Sequence, residues 1–486
     1  MVSKKNSNNF IMPKPAKESL DLARNWLLLG ISALAFAGLF SVLLVAARTP
    51  LIQNIFPGTD FFHVALVVHV DLSVLVWLIS FSCMMWVYVS KNSALSDDSI
   101  ARSYFGAMRL ALSRKTRSNL LFYTACAGTI AIALSPFFGD SVPLMNNYVP
   151  ILQNDLFFLG LAFFTAGAGL QMFLCLLGFI EDLINSIIKK TTWLNIQKLG
   201  IIFSAVCAFI ALLCFYISNH IISQSNEKFL QDSQTYYELL FWGGGHILQY
   251  TYAALMVVAW LWMADHLKLK YLPSTKLLNY SYIFSFFLVL PVPFIYNFTD
   301  IYSFEYMDFF TQHMRWGGGI LAIIVGYYIL ISIFNLFRTK TSYDEFKLPI
   351  RNSLIFSFLL FTVGGIFGMA IEESTVLIPA HYHGSIVGVT LSFMGLTYIL
   401  LPIMGYKKIS GRMANLQPIL YGGGQLMHIT GLAWSGGYGA LRKTPGAVQS
   451  FEGQMGMGLM GMGGLLSIIG GLLFVIVTYK SIFNRK

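Results

Sequence analysis

The sequence has few charged residues. Asp, Glu, Lys and Arg make up 11% of the 486 residues, and hydrophobic residues make up 56%. Soluble domains carry about 25% charged residues, so the composition excludes a soluble enzyme and predicts an integral membrane protein. The sequence also has no short basic segment with a small-residue cleavage site before its first apolar run. We therefore expect no cleaved signal peptide.

Cysteine is scarce as well. The five cysteines all lie within apolar segments and form no CxxC or CxxCH pattern. Their positions exclude a cysteine-based zinc site, a covalently attached c-type haem and a typical disulfide framework. We expect them to be packing residues: Cys83, Cys126, Cys175, Cys207 and Cys214.

Long apolar runs, by contrast, fill the chain. Hydropathy and helix-breaking residues predict twelve transmembrane helices, at 25–47, 63–90, 119–137, 150–178, 197–220, 237–265, 278–297, 312–336, 351–371, 378–404, 417–440 and 456–479. The expected fold is therefore all-α and integral to the membrane. We expect a single twelve-helix membrane domain over 25–479, with short tails at 1–24 and 480–486.

The basic residues predict the orientation of the chain. With the amino terminus inside, 27 Lys and Arg residues lie on the inner side and five lie on the outer side. The positive-inside rule then places both termini in the cytoplasm, and the expected location is a bacterial-type inner membrane. The net charge of +10 reflects this orientation rather than binding of nucleic acid.

Six of the nine histidines lie in or at the ends of predicted spans, all toward the outer half of the membrane: His69, His246, His313, His381, His383 and His428. A metal-competent side chain in hydrocarbon is costly and usually functional, and imidazole is the usual ligand of haem iron. The clustering predicts a site with more than one metal. The alternative is a set of core histidines bonded to neighbouring carbonyl groups.

Two spacings refine this prediction. His381 and His383 are two residues apart, about 200° around a helix, so one helix is expected to hold a partner on each face. His246 and Tyr250 are four residues apart and share a helix face. There the phenol could supply an electron and a proton to a bound oxidant, or it could only pack.

Glycine triplets stand beside three of these histidines, at 243–245, 317–319 and 422–424. Each triplet could allow close packing of helices. Each could also make room for a flat macrocycle, and the neighbouring histidines favour this second interpretation.

Together these motifs resemble the catalytic subunit I of the haem–copper oxidase superfamily, over about residues 20–482. The segment A-H-Y-H-G in the tenth span is similar to the H-F-H motif of that family. The resemblance implies that His381 ligates a high-spin haem, where substrate binds. It further implies that His383 and His69 ligate a low-spin haem from its two faces.

The resemblance also implies a non-haem metal, copper with iron as the alternative. His246-Ile-Leu-Gln-Tyr250 resembles the family motif H-P-E-V-Y, which provides a copper ligand and a cross-linkable tyrosine, but the proline and the glutamate are missing. Gln312 and His313 stand where the family has two adjacent histidines. An amide oxygen binds copper more weakly than imidazole does, so the site could be copper held by two histidines, copper completed by Gln312 or water, or iron.

Charged residues give further candidates for contacts with the haems or with ions. Arg442 and Lys443, in GGYGALRKTP, resemble the basic pair that holds haem propionates. Arg48 resembles an arginine near the low-spin haem, although a solvated interfacial role explains it equally well. Glu372 and Glu373 could hold a proton, a propionate or a calcium-like ion, or could be solvated loop charges.

The expected function is that of a respiratory terminal reductase, a cytochrome c oxidase-like haem–copper oxidoreductase that reduces dioxygen to water. Reduction of nitric oxide to nitrous oxide is the alternative within the superfamily, favoured by the altered metal ligands and by the missing residues associated with proton pumping. A twelve-span secondary transporter is the alternative from another class. No copper-binding domain or cytochrome c motif is fused to the chain, so we expect electrons from a partner subunit, cytochrome c or a quinol. We also expect other membrane subunits and lipid as partners, and no nucleic acid.

Overall fold

A computed structural model of the chain describes residues 10–48, 58–90, 114–188, 195–225, 232–372, 375–440 and 450–484. Helices dominate this part of the chain. Backbone N–H and C=O groups in hydrocarbon find no water, so an apolar run of this length satisfies them within its own helix. The surface helix that the segment at 101–112 suggests lies outside the described residues.

The elements, numbered in chain order, are α1 (Lys17–Arg48), α2 (Gly58–Val70), α3 (Trp77–Val89), α4 (Arg114–Leu134), β1 (Val142–Leu144), β2 (Ile151–Gln153), α5 (Asp155–Ile188), α6 (Ile196–Gln224), α7 (Ser233–His266), α8 (Thr275–Val289), α9 (Phe304–His313), α10 (Ile320–Arg338), α11 (Leu348–Met369), α12 (Leu377–Ile403), α13 (Arg412–Gly437) and α14 (Phe451–Phe483). Single π-helical turns join α2 to α3, at Asp71–Val76, and follow α9, at Met314–Gly318.

The prediction of an all-α integral membrane protein is confirmed. A helix covers each of the twelve predicted spans. Eleven of these helical spans in the described part of the chain are long and apolar enough to cross a membrane. The remaining one is α13, whose sequence is interrupted by the glycine triplet at 422–424 and by polar residues.

The fourth span differs from its predicted bounds. It begins at Asp155 rather than at 150, because Ile151–Gln153 pairs with Val142–Leu144 as an antiparallel hairpin. The Asn154 side-chain oxygen accepts a hydrogen bond from the Phe157 backbone N–H at 3.1 Å, which satisfies one of the first amides of α5. Hydropathy alone did not separate this apolar strand from the helix that follows.

Met12–Leu255 and Ser274–Ala322 form one compact unit, which we call the amino-terminal unit. Gly128 on α4 and Gly160 on α5 let the two helices approach until a Cβ on either would overlap the backbone of the other. Between α5 and α6, Asp182 and Lys198 form a buried ion pair at 3.2 Å. Small residues and paired polar groups therefore bring the helices of this unit together.

Met1–Ile11, Met256–Pro273 and Ile323–Lys486 form the carboxy-terminal unit. Its helices α11 and α12 approach closely at Gly364 and Gly384. Nearby, the Ser357 hydroxyl donates to the Gly388 carbonyl at 2.6 Å. The prediction that residues 25–479 form a single membrane domain stays a prediction.

Gly463 provides a test of this packing. A Cβ there would overlap the backbone of His428 on α13, whereas a Cβ at Gly461, on the same helix, meets nothing within 4 Å. We expect Gly463→Ala to lower the thermal unfolding midpoint in detergent, since overpacking costs about 1–3 kcal/mol. Gly461→Ala is the matched control, and it should leave the midpoint unchanged or slightly higher because alanine favours helix. Equal midpoints for the two variants would contradict the α13–α14 contact.

Candidate functional site

His69 lies near the end of α2, with its ring oriented by α1. Its Nδ1 is 2.8 Å from the carbonyl oxygen of Ala37. A carbonyl can only accept, so Nδ1 donates and the lone pair of the neutral imidazole is on Nε2. The π-helical turn at Asp71–Val76 begins two residues later. Such turns occur frequently at functional sites.

His381 lies in the first turns of α12, with its ring against α11. Its Nδ1 donates to the Gly364 carbonyl at 2.8 Å. Gly368, one turn further along α11, has no Cβ, and a Cβ there would overlap the His381 ring. The missing side chain at Gly368 therefore makes the room that this imidazole occupies.

His383 contacts a different neighbour. Its Nδ1 donates to the Pro379 carbonyl at 2.8 Å, one turn back on α12. Its ring centroid lies 5.0 Å from that of His428 on α13. His428 in turn donates from Nδ1 to the Met460 carbonyl at 3.0 Å. The rings of His381 and His383 thus contact α11 and α13 respectively, in line with the roughly opposite helix faces that their spacing predicts.

The three predicted haem ligands share one arrangement. In His69, His381 and His383 the Nδ1–H donates to a main-chain carbonyl, so each neutral ring carries its lone pair on Nε2. Metal-ligating histidines usually donate their second ring nitrogen in this way, which fixes the tautomer and the ring orientation. This donor set fits haem iron, and the same carbonyl contacts are those of the alternative, core histidines bonded to neighbouring carbonyl groups.

His246 on α7 is buried, with 5% of its surface exposed. Its Nδ1 donates to the Trp242 carbonyl at 2.8 Å, so its lone pair is on Nε2. The Tyr148 hydroxyl lies 2.8 Å from that Nε2 and 2.9 Å from Nδ1, so it contacts both nitrogens of the ring. The neighbour of the His246 imidazole is therefore Tyr148, a residue of the β1–β2 hairpin loop.

Burial, and after it the nearby Glu238 carboxylate, raise the pKa of the Tyr148 phenol well above its ordinary range. The Tyr148 ring lies over Gly245, where any Cβ would overlap it. Gly245 thus makes room for Tyr148.

His313 ends α9, immediately before the π-helical turn at Met314–Gly318. Its Nε2 donates to the Leu288 carbonyl at 3.1 Å, so the lone pair of the ring is on Nδ1. The Tyr250 hydroxyl lies 2.8 Å from that Nδ1 and 2.8 Å from the His313 carbonyl oxygen. Gly317, in the π-helical turn, leaves space for this hydroxyl.

The Tyr250 phenol therefore contacts His313, although the sequence pairs it with His246. The two histidines nevertheless belong to one neighbourhood. Tyr250 lies one turn after His246 on α7, and the ring of Phe310, one turn before His313, lies 6.1 Å from the His246 ring. The i, i+4 spacing places His246 and Tyr250 on one face of α7, but the Tyr250 phenol contacts His313 on α9.

The Gln312 side chain lies along the helix surface. Its amide nitrogen donates to Asp308 at 3.0 Å, and its amide oxygen accepts from the Trp316 indole at 3.1 Å. Both polar atoms are thus bonded within their own helix. Among the described residues, no group of three or more His, Cys, Asp and Glu side chains is arranged to hold a metal ion.

The glycine triplets make room for protein atoms. The Tyr296 and Tyr306 hydroxyls fill the space where a Cβ of Gly243 would lie. Phe356 fills that space at Gly422, and Tyr250 fills it at Gly317. Side chains lie beside these glycines, as the packing interpretation expects.

Some predicted residues cannot be placed in the site. Arg442, Lys443 and Glu373 lie outside the described residues. Arg48 ends α1, and only its backbone is described. Glu372 is exposed. None of the five cysteines forms a disulfide; Cys126 is partly exposed and the other four are buried, as expected of packing residues.

Sequence reasoning missed Tyr148 entirely. Its segment M-N-N-Y-V-P shows no periodicity and no metal-ligand spacing. The one available signal is Gly245, which indicates that another chain segment approaches α7 beside His246. His428 was included among the intramembrane histidines, but its ring contact with His383 depends on how α12 and α13 pack.

The model of the family described as "Cytochrome C and Quinol oxidase polypeptide I" matches residues 21–473. An uncharacterised protein of Rickettsia prowazekii (strain Madrid E) is 30% identical to the chain over 506 residues, which cover 96% of each protein. An uncharacterised protein of Aquifex aeolicus (strain VF5) is 26% identical over 399 residues, covering 81% of this chain and 88% of the relative.

Proposed function

Because the chain belongs to the family of cytochrome c and quinol oxidase polypeptide I, in the haem–copper oxidase superfamily, we propose that it is a respiratory terminal reductase that converts dioxygen to water. Members of this family are haem–copper oxidoreductases of the membrane. The finer assignment, to dioxygen rather than another small oxidant, depends on the residues around His246 and His313.

The haems and the copper of this family supply the electron transfer and the reduction of substrate. As the resemblance to the family implies, His69 and His383 would hold a low-spin haem, and His381 would hold a high-spin haem. The carbonyl partners of their Nδ1 atoms support this role, since they keep each Nε2 deprotonated for iron. His246 and His313 would hold the non-haem metal, which we propose to be copper.

The contact between Tyr250 and His313 supports dioxygen as the substrate. The Tyr250 hydroxyl lies 2.8 Å from Nδ1 of His313, in a neighbourhood that also contains the buried His246. The reduction of dioxygen to water needs one electron and one proton in addition to those that the haems and the metal supply. A phenol at this position can supply one electron and one proton.

Reduction of nitric oxide is the second candidate, and the environment of Gln312 favours it. Gln312 stands where the family pattern has a histidine, so the proposed site has one imidazole fewer than that pattern. The Gln312 amide is hydrogen-bonded to Asp308 and Trp316. A metal with fewer imidazole ligands is expected to have altered ligand affinity and redox chemistry.

The proposed location is a bacterial-type inner membrane, with both termini in the cytoplasm. The asymmetric distribution of Lys and Arg over the predicted loops supports this orientation. The proposed partners are an electron-donating subunit, cytochrome c or a quinol, together with other membrane subunits and lipid.

Gas consumption tests this proposal. The purified chain, reduced by a small-molecule mediator, is supplied with dioxygen or with nitric oxide, and uptake of each gas is recorded with an electrode. We expect dioxygen turnover to exceed nitric oxide turnover. Tyr250→Phe should lower dioxygen turnover by about 100-fold or more, because proton transfer from a positioned side chain contributes about that much.

Tyr236→Phe is the matched control, since this phenol donates to Asn219 at 3.0 Å on an exposed part of α7. It should leave turnover unchanged. High nitric oxide turnover with negligible dioxygen turnover would overturn the assignment to dioxygen. A reduced-minus-oxidised spectrum without haem bands would overturn the haem assignments as well.

A further inference from the structure

We propose that Asp182 and Lys198 form the point at which protons enter the amino-terminal unit from the inner side of the membrane, with water held above them by the Gln171 side chain. This inference rests on the proposed function, because reduction of dioxygen to water consumes protons, and on the proposed orientation. It assigns proton entry to side chains of α5 and α6, away from the candidate histidines.

Buried charge is rare in this protein. Among the described residues, the Asp, Glu, Lys and Arg side chains that are buried are Asp71, Asp182 and Lys198. The Asp182 carboxylate lies 3.2 Å from the Lys198 ammonium group, and both side chains are less than a tenth exposed. Replacing a buried ion pair with apolar side chains of similar volume is often neutral or stabilising, so stability is a weak explanation for this pair. Ionisable side chains within membrane spans usually mark a path for ions or protons.

The pair lies near the ends of two helices. Asp182 is between one and two turns before the end of α5 at Ile188, and Lys198 is in the first turn of α6. The Lys198 backbone N–H donates to the Asn195 side chain at 2.8 Å, which fixes the start of α6. In the proposed orientation these helix ends face the cytoplasm. The buried carboxylate is therefore close to the aqueous phase that supplies protons.

Polar side chains continue from Asp182 along the buried face of α5. Cys175 and Gln171, both buried, are seven and eleven residues before Asp182. These spacings place the three side chains within about 40° of one another around the helix. The Gln171 side-chain N–H donates to the Cys175 sulfur at 3.6 Å. The face that carries the carboxylate thus has polar groups as far as the middle of α5.

The side-chain oxygen of Gln171 indicates bound water. Gln171 is 2% exposed, and no group in the described part of the chain donates a hydrogen bond to its Oε1. Buried carbonyl oxygens nearly always accept a hydrogen bond, from protein or from ordered water. Internal water typically bonds to such buried polar groups. Because Gln171 lies about 16 Å along the helix axis from Asp182, water molecules carry the proton over this distance.

Proton entry at this pair makes and breaks only O–H bonds. A proton from hydronium in the inner aqueous phase binds the Asp182 carboxylate, and the attraction to Lys198 is lost. The O–H bond of Asp182 then breaks as the proton passes to water along the face of α5, which restores the ion pair. Lys198 stays protonated, no electron is transferred, and the proposed reaction consumes the proton. The ammonium group thus favours return of the carboxylate to its ionised form after each transfer.

A double substitution separates this role from a structural one. Asp182→Leu with Lys198→Met removes both charges and keeps most of the volume, so the thermal unfolding midpoint should not fall and the haem spectrum should not change. We expect dioxygen turnover, and the proton uptake recorded with a pH indicator in stopped flow, to fall by about 100-fold, since a positioned proton-transfer group contributes about that much. Asp182→Glu keeps a carboxylate and should keep most of the turnover.

Asp21→Asn is the matched control. Asp21 pairs with Arg24 at 2.9 Å near the start of α1, on the same side of the membrane in the proposed orientation, but this pair is partly exposed. Its loss should change neither turnover nor proton uptake. Unchanged proton uptake in the double variant, or an equal loss in Asp21→Asn, would overturn the inference.

Hydroxyl-radical footprinting adds a measurement that does not depend on turnover. Radicals formed from internal water oxidise the side chains beside it, so the buried Cys175 sulfur should be oxidised rapidly in the unaltered chain and slowly in Gln171→Leu. A Cys175 that resists oxidation in the unaltered chain would also overturn the inference. A chain without haem bands or gas uptake would refute the proposed function separately, and the footprint would still decide whether water lies on this face of α5.

Discussion

Replacing His383 with alanine is expected to remove one haem and leave the other in place. His383 is the proposed low-spin ligand on α12, and its Nδ1 donates to Pro379 at 2.8 Å, which holds the ring in one tautomer. Its loss would remove one of the two proposed low-spin ligands, and the other histidine of α12, His381, is bonded to Gly364 on α11. Haem extraction should give about half the haem of the unaltered chain, and the low-spin bands should disappear from the reduced spectrum. His69→Ala should have the same effect.

His428→Ala is the control for this prediction. The His428 ring lies 5.0 Å from that of His383, so its removal disturbs the same packing. Its Nδ1 donates to Met460 on α14, and it has no proposed ligand role. We expect the His428 variant to keep both haems. Full haem content in His383→Ala, or an equal loss in both variants, would contradict the assignment of His383.

Replacing His313 with alanine is expected to abolish turnover while both haems remain. The change removes one imidazole of the proposed copper site, which is also the ring that lies 2.8 Å from the Tyr250 hydroxyl. Turnover should fall by about 100-fold or more, since both the metal and the positioned phenol are affected. Copper per chain should fall as well, whereas the haem spectrum should stay that of the unaltered chain.

The matched control for His313→Ala is His220→Ala. His220 is an exposed histidine on α6 whose ring stacks on Tyr216 at 6.4 Å between centroids. Its removal should change neither copper content nor turnover. A His313 variant that keeps its copper and its activity would show that the non-haem metal, if present, is held elsewhere.

The sequence was sufficient to predict the fold. Apolar runs must form helices in hydrocarbon, so hydropathy predicted twelve spans, and the described residues are mainly helical over each of them. The predicted positions of the helix ends were less accurate than the predicted helices. The fourth helix begins at Asp155, because a three-residue apolar strand and the start of a helix cannot be distinguished by hydropathy.

The sequence predicted part of the arrangement of the candidate side chains. The spacing of His381 and His383 fixes their directions around one helix, and the structure accordingly gives them different neighbours. The glycine triplet at 243–245 was interpreted as room for a macrocycle, yet aromatic side chains occupy that space. A glycine indicates that something approaches the helix closely, but the sequence cannot identify what approaches.

The amino-acid sequence by itself determined the class of this protein, its helices and the face of each helix that carries an imidazole, because helical periodicity and burial in lipid are local properties. Only the tertiary structure determined which side chains contact the imidazoles of His246 and His313. Tyr250 reaches His313 on a neighbouring helix, and Tyr148 reaches His246 from 98 positions away in the chain. Contacts of this kind depend on how separate segments pack, and no spacing within one segment encodes them.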